Sequence, residues 1–95
     1  MKGYMYILKC CDDSYYCGST INLQKRVKKH QMGKGANHTK NRLPITLVYF
    51  EIFPSIYLAF QREKQIQKWR RDKKEALIKG ETNILPELAI AFRDI

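Results

Sequence analysis

Acidic residues are scarce in this chain, and one long stretch contains none. The sequence has 9 Asp and Glu against 18 Lys and Arg, which gives a net charge of +9 at pH 7. Residues 14–50 carry no acid but include Lys25, Arg26, Lys28, Lys29, Lys34, Lys40 and Arg42. Such an imbalance attracts polyanions, so nucleic acid is the leading class of partner, bound with salt-sensitive affinity. The alternative is a basic protein whose cations are only solvated.

Long hydrophobic runs are also missing. No segment approaches the roughly 20 apolar residues of a membrane-spanning helix, and residues 1–4 become polar too early for a signal peptide. We therefore expect a cytoplasmic protein that has no membrane partner.

Cysteine is too sparse for a disulfide framework. Cys10, Cys11 and Cys17 are odd in number and two of them are adjacent, which is a poor arrangement for paired bridges. A zinc site would need His30 and His38 to join these thiols at unusual spacings. We expect reduced cysteines that act as small core residues.

A chain of 95 residues with 44% hydrophobic residues suits one domain with one core, and excludes a two-domain protein. Residues 4–10 alternate in polarity as a strand does, Asp12 to Ser14 form a turn signal, and residues 15–19 resume an apolar run. This pattern predicts an antiparallel hairpin that places Tyr6 and Tyr16 on neighbouring strands. The apolar run at 45–51 predicts a third strand, buried on both faces and central in the sheet.

The helical segments follow this predicted sheet. Ser19 and Thr20 are suitable N-cap residues for a helix over 21–32, and Arg26 and His30 would share one face of it. Pro54-Ser55 would open a second helix. Glu75 to Lys79 would form a third helix that ends at Gly80, and a short amphipathic helix would follow Pro86. The predicted fold class is α+β, a small three-stranded, mainly antiparallel sheet flanked by helices.

One acid stands where an apolar residue is expected. Glu63 falls within the apolar stripe of the second helix, between Ala59 and Ile66. An ionised carboxylate is unfavourable there unless a metal or a cation neutralises it. The two interpretations are a metal ligand and a structural ion pair, for instance with Arg26.

The segment 33–42 is polar, basic and contains two glycines. Glycines permit close backbone approach, and lysine and arginine suit phosphate groups. We interpret it as a functional loop, with an ordinary solvated loop as the alternative.

Two motifs in the predicted hairpin resemble the signature motifs of the GIY-YIG nuclease family. They are residues 4–6, Tyr-Met-Tyr, and residues 16–18, Tyr-Cys-Gly. Ten residues separate Tyr6 from Tyr16, ten separate Tyr16 from Arg26, and four separate Arg26 from His30, which is similar to the family's layout. Glu63 on a later helix also follows the family's order. The resemblance covers roughly residues 3–75, and looks most like the short, stand-alone bacterial branch.

The chain departs from the family pattern at three places. Tyr4-Met5 replaces the first Gly-Ile, and Cys17 replaces the second Ile. Many members also carry a late Asn, whereas here Glu75 lies near the expected point and Asn83 lies beyond it. The resemblance implies a GIY-YIG nuclease-like domain over 1–80 and a short C-terminal helical extension over 81–95.

The resemblance implies a DNA endonuclease that hydrolyses phosphodiester bonds with one divalent ion, Mg²⁺ or Mn²⁺, held by Glu63. Arg26 would stabilise the transition-state charge. Tyr16 would orient or deprotonate the attacking water, with cationic neighbours lowering its pKa. Tyr6 or His30 would act as a proton relay or hold the water in line. Singly, each tyrosine could instead pack in the sheet, and His30 could be a solvated cation.

Two other functions stay open at this point. A nucleic-acid-binding module could have kept the fold and basic surface without efficient catalysis, which the unplaced Asn favours. A metal-free interaction domain could use the C-terminal helix to join a larger repair or restriction assembly.

Overall fold

The computed structural model describes residues 1–80, and the predicted C-terminal extension lies outside them. The elements in chain order are β1 (Gly3–Lys9), β2 (Tyr15–Thr20), α1 (Leu23–Gln31), α2 (Asn37–Lys40), β3 (Thr46–Phe53), α3 (Ile56–Gln67) and α4 (Arg71–Lys79). The α+β prediction is confirmed.

The sheet is antiparallel throughout and has the strand order β2-β1-β3. The prediction of a central third strand is wrong, because β1 occupies the centre and its four residues Met5 to Leu8 are almost completely buried. β3 is an edge strand whose Phe50 is 41% exposed. Its apolar run is typical of a central strand, but helices lie on both faces of this sheet. Even an edge strand therefore packs on both of its faces and can be apolar throughout.

The alternation along β1 distributes its side chains between two clusters. Met5 and Ile7 pack with Ile66 of α3 and Leu77 of α4. Tyr6 and Leu8, with the opposite orientation, pack with side chains from α1, Leu23 and Val27. The sheet thus lies between α1 on one face and α3 with α4 on the other. Alternate side chains of β1 point to opposite faces, and both sets are apolar, so both faces must be covered.

The helices begin where local capping groups permit. Asn22 caps α1 by accepting a hydrogen bond from the Lys25 amide at 3.0 Å, so Ser19 and Thr20, the predicted caps, belong to β2 instead. Ser55 caps α3 as predicted. α4 begins four residues before the predicted start at Glu75, and ends as predicted at Gly80, whose φ of 76° suits glycine.

A buried ion pair between β3 and α3 escaped the sequence analysis. Arg62 Nε donates to Glu51 Oε1 at 3.1 Å, and the two side chains are 8% and 0% exposed. Tyr49 donates its hydroxyl to the other oxygen of Glu51 at 2.8 Å. Burial raises the pKa of Glu51, against the opposing effect of Arg62. The pair holds α3 against the edge strand β3.

All three thiols are free. Cys10 and Cys17 are buried, as expected of small core residues, whereas Cys11 is exposed. Within residues 1–80, every helix is too short or too polar to cross a lipid bilayer.

Candidate active site

The β1–β2 hairpin brings the two motif tyrosines to one face of the sheet. Tyr6 pairs with Gly18, and Leu8 pairs with Tyr16. Directly opposed residues of antiparallel strands point to the same side. Tyr6 and Tyr16 are therefore diagonal neighbours under α1, as the hairpin prediction expected.

Gly18 is required by the position of the Tyr6 ring. A Cβ at residue 18 would collide with the hydroxyl of Tyr6 and would lie 2.5 Å from its ring carbon Cζ. No side chain fits in that space. Glycine at position 18 therefore allows the phenol of Tyr6 to lie directly against the backbone of β2.

His30 is a buried acceptor, and the interpretation as a solvated cation is wrong. It is 1% exposed; Nε2 lies 3.0 Å from the Tyr6 hydroxyl and Nδ1 lies 2.7 Å from the hydroxyl of Thr39. Thr39 donates its only hydroxyl proton to the carbonyl of Ala36 at 3.0 Å. Nδ1 must therefore carry a proton, and Nε2 accepts the proton of Tyr6. Burial, followed by Arg26, lowers the pKa of His30.

The loop predicted to be functional supplies that environment. Its residues include α2, a single helical turn that carries Thr39. A Cβ at Gly35 would collide with the imidazole of His30, so the loop backbone lies directly against the ring. Thr39 was missed by the sequence analysis, and only its place inside the glycine-bearing segment could have pointed to it.

Tyr16 is half-buried and lies between two imidazole rings. Its ring centroid is 5.3 Å from that of His30 and 6.0 Å from that of His38, with which it stacks at 25°. Burial raises the pKa of Tyr16, the charge of Glu63 raises it further, and Arg26 partly opposes both. Arg26 lowers this pKa, as the sequence predicted, but desolvation is the larger effect, so the pKa of Tyr16 is raised rather than lowered on balance.

His38 was considered only as a zinc ligand, yet a polar network holds it beside Tyr16. Ser14 donates its hydroxyl to Asp12 at 2.6 Å and lies 2.9 Å from His38 Nε2. The single Ser14 proton is thus used, and His38 Nε2 donates to Ser14. The hydrogen bonds from Ser14, and then Arg42, lower the pKa of Asp12 to about 2.

Arg42, a predicted phosphate ligand, takes part in the same network. Its Nε donates to Asp12 at 2.9 Å and its Nη1 donates to the carbonyl of His38 at 3.0 Å. Two of its donors therefore serve the protein itself. The other predicted phosphate ligands, which are all exposed, are Lys25, Lys28, Lys29, Lys34 and Lys40.

Glu63 is held by neutral donors. Ser19 donates to Oε1 at 2.7 Å and Gln67 donates to Oε2 at 2.8 Å. Its side chain is 11% exposed, and the cation near it is Lys64, at 3.9 Å, rather than Arg26. The buried ion pair of this helix is made by Arg62 with Glu51, so Glu63 is not part of it and lies at the edge of the site.

Arg26 lies at the surface next to the two tyrosines. It is exposed on α1 and, with Glu63, acts electrostatically on both Tyr6 and Tyr16. Burial raises the pKa of Tyr6 most, then Tyr16, while Arg26 lowers it. Arg26 also lines a groove of about 330 Å³, whose other lining residues are Thr20, Ile21, Asn22, Lys25 and Lys29.

Glu75, the residue near the position expected for the late Asn, is occupied by other contacts. Its Oε2 accepts from Tyr15 at 3.2 Å and from Arg71 at 3.2 Å. Asn83 lies outside the described residues. Within residues 1–80, no group of three or more His, Cys, Asp and Glu side chains is placed to hold a metal.

Comparison with known proteins gives one consistent family. Residues 2–76 match the GIY-YIG catalytic domain. A UPF0213 protein of Streptococcus sanguinis is 49% identical over 85% of this chain and 93% of its own length, and one of Haloquadratum walsbyi is 41% identical over 85% and 91%. The NMR structure of a UPF0213 protein from Bacillus halodurans is 43% identical, covers 83% and 84% of the two chains and has a TM-score of 0.54. This chain therefore belongs to the GIY-YIG family.

Proposed function

We propose that this protein is a DNA endonuclease that hydrolyses phosphodiester bonds with the help of one divalent cation. The observation that carries the proposal is that Tyr6 and Tyr16 share the sheet face beneath α1, the helix whose Arg26 lines the basic groove. Arg26 and Glu63 both act electrostatically on these two phenols. Membership of the GIY-YIG family supports a nuclease and a nucleic-acid partner.

Glu63 fits a loosely held magnesium or manganese ion. Each carboxylate oxygen accepts one hydrogen bond and so keeps a lone pair, and the side chain reaches the surface. Mg²⁺ commonly takes one or two carboxylates and fills its other positions with water and substrate phosphate. When bound, such an ion supplies charge stabilisation at the reacting phosphate.

Arg26 places a fixed positive charge where negative charge develops on the phosphate oxygens. Its exposure and its position on the groove allow direct contact with a phosphate, and a guanidinium can make two parallel hydrogen bonds there. The loss of such a group commonly slows a reaction by about 10²- to 10³-fold.

Tyr16 is the phenol that the attacking water can reach, since Tyr6 is only 1% exposed. We assign Tyr16 to orienting that water and, in its phenolate form, to accepting the proton that the water loses. Tyr6 is a positioning residue that donates to His30, and both nitrogens of His30 are used in internal hydrogen bonds. Any proton that reaches His30 must therefore pass through Tyr6 to Nε2.

A second candidate function is nucleic-acid binding without efficient cleavage. Two observations favour it: burial raises the pKa of both phenols away from the neutral range, and Glu75 is engaged with Tyr15 and Arg71. A role in DNA repair, a larger repair complex and a cytoplasmic location are further proposals that accompany the nuclease assignment.

A cleavage assay decides between the two. Plasmid, single-stranded and junction DNA are incubated with and without Mg²⁺, using the wild type, Glu63→Gln and Tyr16→Phe. Asp13→Asn is the matched control, since it removes one surface carboxylate at a positive φ of 67° that Asn tolerates. Cleavage by the wild type and the control only, and only with Mg²⁺, supports the nuclease. Salt-sensitive binding without cleavage by any of these proteins supports the binding module.

A further inference from the structure

We propose that Tyr4 and Phe50 form a stacking surface for an unpaired nucleobase, so that the substrate is nucleic acid with a single-stranded segment at the cleavage site. This inference rests on the proposed function and names its class of substrate. The two rings are not part of the catalytic group described above.

The two rings lie beside Tyr6 on the same face of the sheet. Tyr4 precedes Tyr6 by two residues on β1, and Phe50 is the direct cross-strand partner of Tyr6 on β3. Their ring centroids are 6.4 Å apart, with the planes tilted by 57°. A base that rests on one ring would therefore also meet the other.

This half of the sheet face is not covered by α1. Leu23 and Val27 of α1 pack against the cluster that contains Tyr6 and Leu8. Neither Tyr4 nor Phe50 belongs to a core cluster of residues 1–80, and Phe50 is 41% exposed although it lies within a strand. Tyr4 is half-buried. An exposed aromatic ring beside a second, half-buried ring on an uncovered sheet face indicates a binding surface.

The surface continues into the basic groove. Thr20 is the cross-strand partner of Tyr4 on β2, and the same residue lines the groove with Lys25 and Arg26. Tyr4 is therefore the ring adjacent to the groove, and Phe50 lies one strand further from it on β3. Aromatic rings beside a basic groove are the combination that single-stranded nucleic acid requires.

The base must be unpaired to bind here. In a duplex each base has neighbours on both faces, so a ring can stack on it only after it leaves the helix or at a strand end. A second copy of this chain is the competing occupant. Each copy carries a net charge of +9, and this repulsion opposes self-association.

Binding without a divalent ion tests the inference separately from catalysis. Tyr4→Leu and Phe50→Leu keep an apolar side chain but remove the stacking ring, and Tyr57→Leu replaces a 65% exposed aromatic on α3 as the matched control. Fluorescence anisotropy is measured with an oligothymidine and with a blunt duplex of equal length. We expect each substitution at the surface to weaken single-strand binding about tenfold and duplex binding less than twofold, with no change in the control.

A direct readout avoids dependence on the variants' folding. Irradiation of the wild type with a bromouracil-containing single strand should crosslink to the segments that contain Tyr4 or Phe50. Crosslinks elsewhere, equal losses for single strand and duplex, or a dimer in sedimentation that Phe50→Leu dissociates would each overturn the inference. Cleavage by the wild type with any of these results leaves the nuclease assignment standing. Selective single-strand binding without cleavage removes that assignment and keeps the stacking surface.

Discussion

The hydroxyl of Tyr6 and Nε2 of His30 lie 3.0 Å apart in the interior of the domain. Thr39 donates its hydroxyl proton to the carbonyl of Ala36. This fixes the direction of the other two hydrogen bonds in the series, from His30 to Thr39 and from Tyr6 to His30. The first signature tyrosine is therefore held as a donor to a neutral imidazole. Its partner tyrosine, Tyr16, is the one left to meet solvent.

The burial of a neutral His30 predicts a pH-dependent stability. Because burial lowers the pKa of His30 from 6.5, the unfolded chain binds this proton more readily than the folded protein. The free energy of unfolding should fall as the pH drops below about 6.5, and this fall should stop below the folded pKa. Urea titrations at several pH values measure it.

His30→Gln should lose this part of the pH dependence, whereas His38→Gln should keep it. Comparison of the two isolates His30 from the acids, including Glu51, whose raised pKa acts with the opposite sign. Parallel pH curves for the wild type and His30→Gln would contradict the assignment of a neutral buried imidazole.

The raised pKa of Tyr16 predicts that cleavage accelerates with alkalinity. Burial and Glu63 disfavour its phenolate, so the initial rate should still rise above about pH 8. Tyr16→Phe should lower the rate by about 10²- to 10⁴-fold and remove this dependence. Tyr6→Phe should lower the rate but retain the rise, and an unchanged pH profile in Tyr16→Phe would exclude Tyr16 as the base.

The Glu51–Arg62 pair predicts an asymmetry between single and double substitutions. Glu51→Ala or Arg62→Ala should each lower the free energy of unfolding by about 3–5 kcal/mol, since either leaves a buried charge without its partner. The double replacement Glu51→Ala with Arg62→Ala should cost clearly less than the sum. Urea unfolding of the four proteins forms the cycle, and additive losses would refute the pairing.

The contact between Gly18 and Tyr6 predicts a steric defect. Gly18→Ala should lower the free energy of unfolding by about 1–3 kcal/mol because the methyl group overlaps the phenol, and it should reduce cleavage. Gly80→Ala provides the comparison, since its φ of 76° is strained but no atom lies within 4 Å of the added Cβ. Its loss should be about 1 kcal/mol with full activity.

The exposed lysines of α1 predict the salt dependence of DNA binding. Lys25→Ala or Lys29→Ala should each reduce the slope of log K against log salt by about 1, the contribution of one phosphate contact. Arg42→Ala should change that slope less and lower the thermal stability more, because Arg42 bonds to Asp12 and to the His38 carbonyl. Equal effects of Lys25 and Arg42 would contradict this distinction.

Local patterns in the sequence predicted the hairpin and the face shared by Tyr6 and Tyr16. Strand alternation and a turn of charged residues depend on neighbours within about ten positions, and the pairing of Tyr6 with Gly18 follows from them. The end of α4 at Gly80 was predictable for the same reason. A helix that ends in a left-handed backbone conformation favours glycine at that one position.

Contacts between distant segments were not predictable. The edge position of β3, the Glu51–Arg62 pair and the contact of Thr39 with His30 arise only when helices and loops pack against the sheet. No spacing in a single sequence encodes them. The raised pKa of Tyr16 belongs to the same class, because desolvation depends on everything that surrounds the ring.

The close approach of Gly35 to His30 makes substitutions at these two positions depend on each other. A mutation that gives residue 35 a side chain is blocked while the imidazole is present, although a smaller residue at position 30 would open the space. We therefore expect relatives to carry a side chain at residue 35 only where residue 30 is smaller than histidine.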